Sequence, residues 1–220
     1  DWSLAASIES DLSLTTNLNR FPTQVTVDET AVGDRWLSFN LSNNQINEFI
    51  TNSSMPSVLG VEDSGHIVLA SPHPNHESAW SLVGDGAMTL VAYLLATTKL
   101  DESKLMDGGW KQRQSVKDVD RRKWNGNNKL SDVIEKSLLD KLSSFNLVSQ
   151  WCRTTIPGEP NLMLINCLYG EAKLSIGIRN SGTQAKISVS ARLECGGSNV
   201  GIQEAINEAC DLLEMHMINR

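Results

Sequence analysis

Past Pro157-Gly158-Glu159-Pro160 the apolar residues of this chain stop recurring every three or four positions and begin recurring every second one. Leu162, Leu164 and Leu168 mark one run, Leu174, Ile176 and Ile178 a second, and Ile187, Val189, Ala191 and Leu193 a third. A period of two turns one face of each run toward a core, which is the pattern of strands. Gly170 and Ser181-Gly182 stand between the runs as turn residues. Ile202, Ala205, Ile206, Ala209 and Leu212 then form a helical stripe. With a helix expected near Lys141–Trp151, the order is α-β-β-β-α: an antiparallel sheet with helices on one face.

Upstream the period is helical. From Glu77 to Thr98 the apolar residues Leu82, Ala87, Leu90, Val91, Leu94 and Leu95 make a segment that is apolar nearly all round after Gly86, and such a helix belongs inside a helical core. Val133, Ile134, Leu138, Leu142 and Phe145 predict an amphipathic helix over Leu130–Phe145. A short helix is expected around Asn44–Thr51 and a Gly/Pro/His loop over Ser64–Asn75. Residues 1–40, rich in Ser, Thr and Asn, read as an irregular arm. The expected architecture is a mainly α domain over 41–148 followed by an α+β domain over 149–220.

Charge is unevenly spread. Residues 1–103 hold three Arg or Lys against thirteen Asp or Glu, whereas Lys111, Arg113, Lys117, Arg121, Arg122, Lys123 and Lys129 crowd into one stretch with only Asp118 and Asp120. A polyanion would meet that stretch first, although the net charge of -7 excludes a protein that grips nucleic acid over its whole surface. The glycines and asparagines at 108–109 and 125–128 mark it as a loop or frayed helix. No apolar run is long enough to span a membrane. The four cysteines have no C-x-x-C spacing and read as buried thiols in a reducing compartment. His66, His73 and His76 could hold a metal, but their setting suits a turn better. Neither a Ser/His/Asp triad nor a phosphate-cradling glycine loop is visible.

Three acids stand out. Asp85 lies among apolar neighbours, where a carboxylate needs a partner or a metal to offset desolvation. Asp132 and Glu135, three apart, share a helix face. Carboxylates on adjacent helices are a common way to hold Mg²⁺; equally, Asp132 can pair with Lys136 and Asp85 can cap a helix.

The stretch Ala70–Leu90, with Leu82-Val-Gly-Asp85, resembles the first acidic motif of the ribonuclease III family, and Asn127–Asp140, with Asp132-x-x-Glu135, resembles its second. In that family a helical nuclease domain precedes a double-stranded-RNA-binding domain of α-β-β-β-α order. The resemblance implies a metal site at Asp85, Asp132 and Glu135, but the family's first carboxylate falls on Ser78 and a further one on Ser81. Glu77 is the adjacent substitute. The family's lysine pair before the last helix is also missing, its place taken by Ser198-Asn199-Val200. The resemblance with these losses implies a pseudoenzyme that has no cofactor and serves as a structural, RNA-associated part of a ribonucleoprotein such as a mitochondrial large ribosomal subunit. It would be dimeric or paired with another ribonuclease III-like chain, and soluble within an organelle. The alternative is an active Mg²⁺-dependent endonuclease on double-stranded RNA.

Overall fold

A computed structural model describes residues 1–42, 49–51, 54–99 and 106–218. The chain divides into two compact units. An N-terminal unit comprises Asp1–Ser10 and Leu14–Asp107, and a C-terminal unit comprises Asp11–Ser13 and Gly108–Arg220.

The N-terminal unit is built on a six-stranded mixed sheet. Its strands are β1 (Trp2–Ser7), β2 (Val25–Thr30), β3 (Phe49–Thr51), β4 (Val58–Val61), β5 (Ile67–Pro72) and β6 (Ala79–Gly84), in the order β2-β1-β4-β5-β6-β3. β1 pairs parallel with both β2 and β4, and the remaining pairs are antiparallel. Its helices are α1 (Leu14–Leu18), α2 (Asp34–Leu41) and α3 (Gly86–Thr97). β1 is an interior strand and buries Leu4, Ala5 and Ala6 in succession, as a strand covered on both faces must. α2 lies close against β4 because Gly60 has no side chain: a Cβ there would come within 2.9 Å of Val68 Cβ and 3.1 Å of Leu37 Cβ. The buried cluster is small: Ala5, Leu37, Leu41, Val58, Val68, Ala70 and Leu82.

The C-terminal unit has a five-stranded antiparallel sheet in the order β7-β11-β10-β9-β8. Its strands are β7 (Trp110–Lys117), β8 (Val148–Thr154), β9 (Leu162–Tyr169), β10 (Ala172–Asn180) and β11 (Lys186–Leu193), with α4 (Lys129–Ser143) and α5 (Ile202–Met217). α4 and α5 pack on each other and on one sheet face. Ile202, Ala205, Ile206, Ala209, Leu213 and Met217 form the buried stripe of α5, and Ile134, Leu138 and Leu142 that of α4. They meet Ile187, Val189, Ala191, Leu174, Ile176 and Ile178 from the alternate positions of β11 and β10. Asn128 caps α4 by accepting from the Ser131 N–H at 3.1 Å. The outer strand β8 carries a register irregularity between Ser149 and Cys152, with Gln150 at φ 54°.

This architecture corrects the mainly helical reading. Eleven strands in two sheets among the described residues replace the helical nuclease domain, and with it go the ribonuclease III family assignment, the pseudoenzyme and endonuclease readings drawn from it, and the ribosomal role. The segment matched to the family's first acidic motif is strand β6, paired antiparallel with β5, and the helix starts only at Gly86. Residues 1–40 form β1, α1, β2 and most of α2 rather than an irregular arm. The basic stretch expected as loop begins with strand β7, whose side chains alternate between exposed and shielded. The three alternating runs are strands β9, β10 and β11. Their sheet has five members, however, and the end of the helix expected near Lys141–Trp151 is instead the start of its β8 edge. The helix expected over 44–51 falls mostly outside the described residues, and its last three positions are β3. No helix among the described residues is long and apolar enough to cross a membrane.

Candidate functional site

Arginine side chains far apart in sequence converge in the C-terminal unit. A 3₁₀ turn over Arg121–Lys123 follows β7, and the β10–β11 turn carries Ser181 and Gly182. Between them opens a cleft of about 820 Å³ whose lining includes Asp120, Arg121, Arg122, Glu159, Arg179, Asn180, Ser181 and Gly182. Arg121 Nη1 donates to the carbonyls of Ser181 at 2.7 Å and Gly182 at 3.1 Å, fixing the turn against the 3₁₀ segment. Asn180 Nδ2 tightens the same junction by donating to the carbonyls of Arg121 at 3.0 Å and Trp124 at 3.1 Å. Its Oδ1 is buried and makes no hydrogen bond among the described residues. Ser181 Oγ accepts from the Gln184 N–H at 3.2 Å, holding the turn in shape.

Two acids balance the arginines. Arg122 grips Asp120 through Nε and Nη2, both at 2.9 Å. The hydrogen bonds from Arg122 hold the Asp120 carboxyl down at about 2, and Asp120 in turn raises Arg122. Arg179 Nη1 donates to Glu159 Oε1 at 3.3 Å. A guanidinium carries five N–H donors, and the grip on Asp120 engages two of those of Arg122. Trp124, 2 % exposed, anchors the wall by donating from Nε1 to the Asn161 carbonyl at 2.9 Å.

A second cluster belongs to the N-terminal unit. A tight turn joins β4 to β5: the Glu62 N–H donates to the His66 carbonyl at 3.0 Å and the Gly65 N–H to the Glu62 carbonyl at 3.1 Å, with Gly65 at φ 87°. Glu62 and His66 therefore stand side by side. Glu62 accepts from the Gly33 N–H ahead of α2 and from Ser64 Oγ at 3.0 Å, a carboxylate placed at the positive end of a helix. His66 Nδ1 lies 3.5 Å from Asp34 Oδ1 and 3.9 Å from Glu62 Oε2. Asp34 fits there because Gly84 is bare: a Cβ would come within 2.3 Å of its Oδ2. One ligand atom from each of Asp34, Glu62 and His66 lies within 4.8 Å of the others, a mixed nitrogen and oxygen set of the kind that suits Zn²⁺ or Mn²⁺ better than Mg²⁺.

The residues expected to hold Mg²⁺ have local partners instead. Asp85 is the N-cap of α3, accepting from the N–H groups of Ala87 at 2.9 Å and Met88 at 3.0 Å. Asp132 and Glu135 do share a face of α4, in the other unit. There Arg153 Nη2 reaches both, 2.8 Å from Asp132, and Trp151 Nε1 donates to Glu135 at 3.0 Å. A guanidinium thus sits where a cation would have been bound. Glu77 is exposed in the β5–β6 turn, and Ser78 beside it adopts φ 60°. The basic run is divided among three settings. Lys111, Arg113 and Lys117 occupy exposed positions of β7, Arg121, Arg122 and Lys123 form the 3₁₀ turn, and Lys129 opens α4. Of the histidine trio, His66 joins Asp34 and Glu62, while the rings of His73 and His76 lie 4.5 Å apart, tilted by 53°.

All four cysteines are free, with Cys152 exposed and Cys167 buried. Burial, reinforced by Cys152, pushes the Cys167 thiol up to about 12. Burial and then Asp211 push Cys210 up to about 11. These are inert thiols at neutral pH.

No family model and no curated protein matches the chain. Among solved structures it is similar to a protein described as a phosphomannomutase from Thermus thermophilus, with 14 % identity and a TM-score of 0.41, over 97 % of this chain and 36 % of that one. The chain thus spans about a third of that protein's length. A likeness this loose carries no argument about activity.

Proposed function

We propose that the C-terminal unit binds a phosphorylated, polyhydroxylated small molecule in the cleft between the 3₁₀ turn and the β10–β11 turn. The observation that carries this reading is the convergence of Arg121, Arg122 and Arg179 on one cleft. Guanidinium groups present planar donor pairs that match phosphate oxygens. At about 820 Å³ the cleft has the size of a small-molecule site rather than a macromolecular groove. The buried, unpaired Asn180 Oδ1 is an acceptor that a ligand hydroxyl satisfies. Arg121, whose Nη1 is spent on the turn carbonyls, positions the loop; Arg122, with its exposed side chain, supplies donors, and Arg179 adds positive charge to the lining.

Isothermal titration of the chain with a hexose phosphate, the unphosphorylated hexose and inorganic phosphate tests this. The hexose phosphate should bind at least about tenfold more tightly than the hexose, a difference of about 1.4 kcal/mol. Arg179→Ala should weaken binding by about tenfold or more. Because that change also removes a partner of Glu159, Arg122→Ala, at a side chain 88 % exposed, is the companion, since the residue-122 N–H still holds Asp120. Equal affinity for hexose and hexose phosphate would sink the reading. So would tighter binding of duplex RNA, the polyanion that the same basic residues would otherwise serve.

A further inference from the structure

Alone among the five helices of the described residues, α3 has no buried residue. Its twelve residues carry no charge, and Met88, Leu90, Val91, Tyr93, Leu94 and Leu95 are between 43 % and 64 % exposed. At 100° per residue, the two half-shielded positions, Thr89 and Ala92, mark the side turned toward its own unit. There Thr89 Oγ1 donates to the Ile67 carbonyl at 3.3 Å. Ala87, Leu90, Val91 and Leu94 lie on the opposite side. Their spacing of i, i+3, i+4 and i+7 is that of a helix–helix seam, with the small Ala87 allowing close approach at one end.

We propose that this seam is a two-fold interface, α3 packing antiparallel on α3 of a second copy of the chain. With roughly 150–250 Å² for each large side chain when fully exposed, the six leave on the order of 600 Å² of apolar surface in water, at the upper end of what a monomer ordinarily shows. Leu90, Val91 and Leu94 supply roughly half of that area, which is less than the ~800 Å² per partner of a stable interface and fits a weak, concentration-dependent pairing. A two-fold contact needs a patch that complements itself, and an uncharged apolar seam does so without opposing like charges. Antiparallel alignment also sets each helix dipole against its opposite. A membrane surface is a poor occupant, since a helix lying on one presents a Lys- and Arg-rich face that α3 lacks. The N-terminal unit holds thirteen acidic and four basic residues. Two copies therefore repel through their surroundings, and salt, by screening that repulsion, strengthens the pairing.

Sedimentation velocity of the 220-residue chain between about 1 and about 100 μM, at about 50 and about 500 mM salt, tests the interface. A monomer–dimer equilibrium that tightens severalfold at the higher salt is expected. Leu90→Glu with Leu94→Glu should raise the dissociation constant at least about a hundredfold, with far-UV circular dichroism unchanged because neither side chain is in the core. Leu90→Gln with Leu94→Gln should move it the same way by less, and Tyr93→Ser, off the seam, by no more than about twofold. A chain that stays monomeric throughout both salt series overturns the proposal. So does a dimer indifferent to both Leu90/Leu94 pairs, or a monomer whose α3 is covered by a different protein.

Discussion

The two units use the same materials, a sheet with helices against it, to different degrees of completion. Among the described residues the C-terminal core gathers twenty-four buried side chains, from Val116 to Met217, and sinks an apolar stripe of each long helix into it. The N-terminal core gathers seven, and its longest helix stands uncovered. Burial of apolar surface is the main favourable term in folding. The C-terminal unit should therefore be the last part of the chain to open and the N-terminal unit the first.

Identical truncations in the two cores sharpen the contrast most. Leu138 and Leu37 are both 0 % exposed. Leu138→Ala should cost about 4–5 kcal/mol, because densely packed neighbours cannot collapse into the space, and Leu37→Ala about 2–3 kcal/mol, because a thin cluster can. Urea unfolding followed by hydrogen exchange in each unit measures both. Equal costs, or amides of β5 and β6 protected as strongly as those of β9 and β10, would break the comparison.

Next in size is Arg153→Ala, which leaves Asp132 and Glu135 facing each other without their shared cation. A loss of about 1–2 kcal/mol, confined to the C-terminal unit, is expected, since all three side chains keep some solvent. Asp85→Ala should cost the N-terminal unit about 1 kcal/mol and show first as faster exchange of the Ala87 and Met88 amides.

Smaller effects concern chemistry rather than folding. At mildly alkaline pH iodoacetamide should label exposed Cys152 at least about a hundredfold faster than Cys167, whose thiol stays protonated up to about 12. Comparable labelling would mean that the sheet opens far more often than its packing implies. Asp120 has its pKa lowered in the folded chain. Its pairing with Arg122 is fully present above the ordinary value of 3.8 and is lost only as pH falls through about 2. A carboxyl titration by NMR with a midpoint near the ordinary value would remove that arginine's anchor.

Much of the C-terminal sheet was legible in the sequence because its apolar residues alternate with polar ones: Ile187, Val189, Ala191 and Leu193 announce themselves between Ser188, Ser190 and Arg192. β1 was not, because its Leu-Ala-Ala run is covered on both faces and its small residues show no period. β7 was hidden by its charges, which outweigh a single deeply buried residue, Val116. Asp85 shows how one residue misplaces an element. Read as a carboxylate inside a helix it looked like a ligand, yet its backbone is extended and its side chain caps the helix that follows. Glu62 and His66 could have been paired from the Asp63-Ser-Gly65 turn between two apolar runs, but Asp34 joins them only through the packing of α2. The cleft was beyond reach of spacing arguments, since Arg121 and Arg179 become neighbours only when β7 and β10 flank the same strand, β11.

The basic side chains of β7 have a consequence that needs no ligand. β7 and β8 are the margins of their sheet, and a bare margin invites a foreign strand to add itself. Lys111, Arg113 and Lys117 guard one rim with charge, and Lys117 faces Lys186 across the ladder. The kinked register near Gln150 twists the other rim away. A sheet finished on both sides in this manner resists growing into a fibril even when its neighbour unit has come undone.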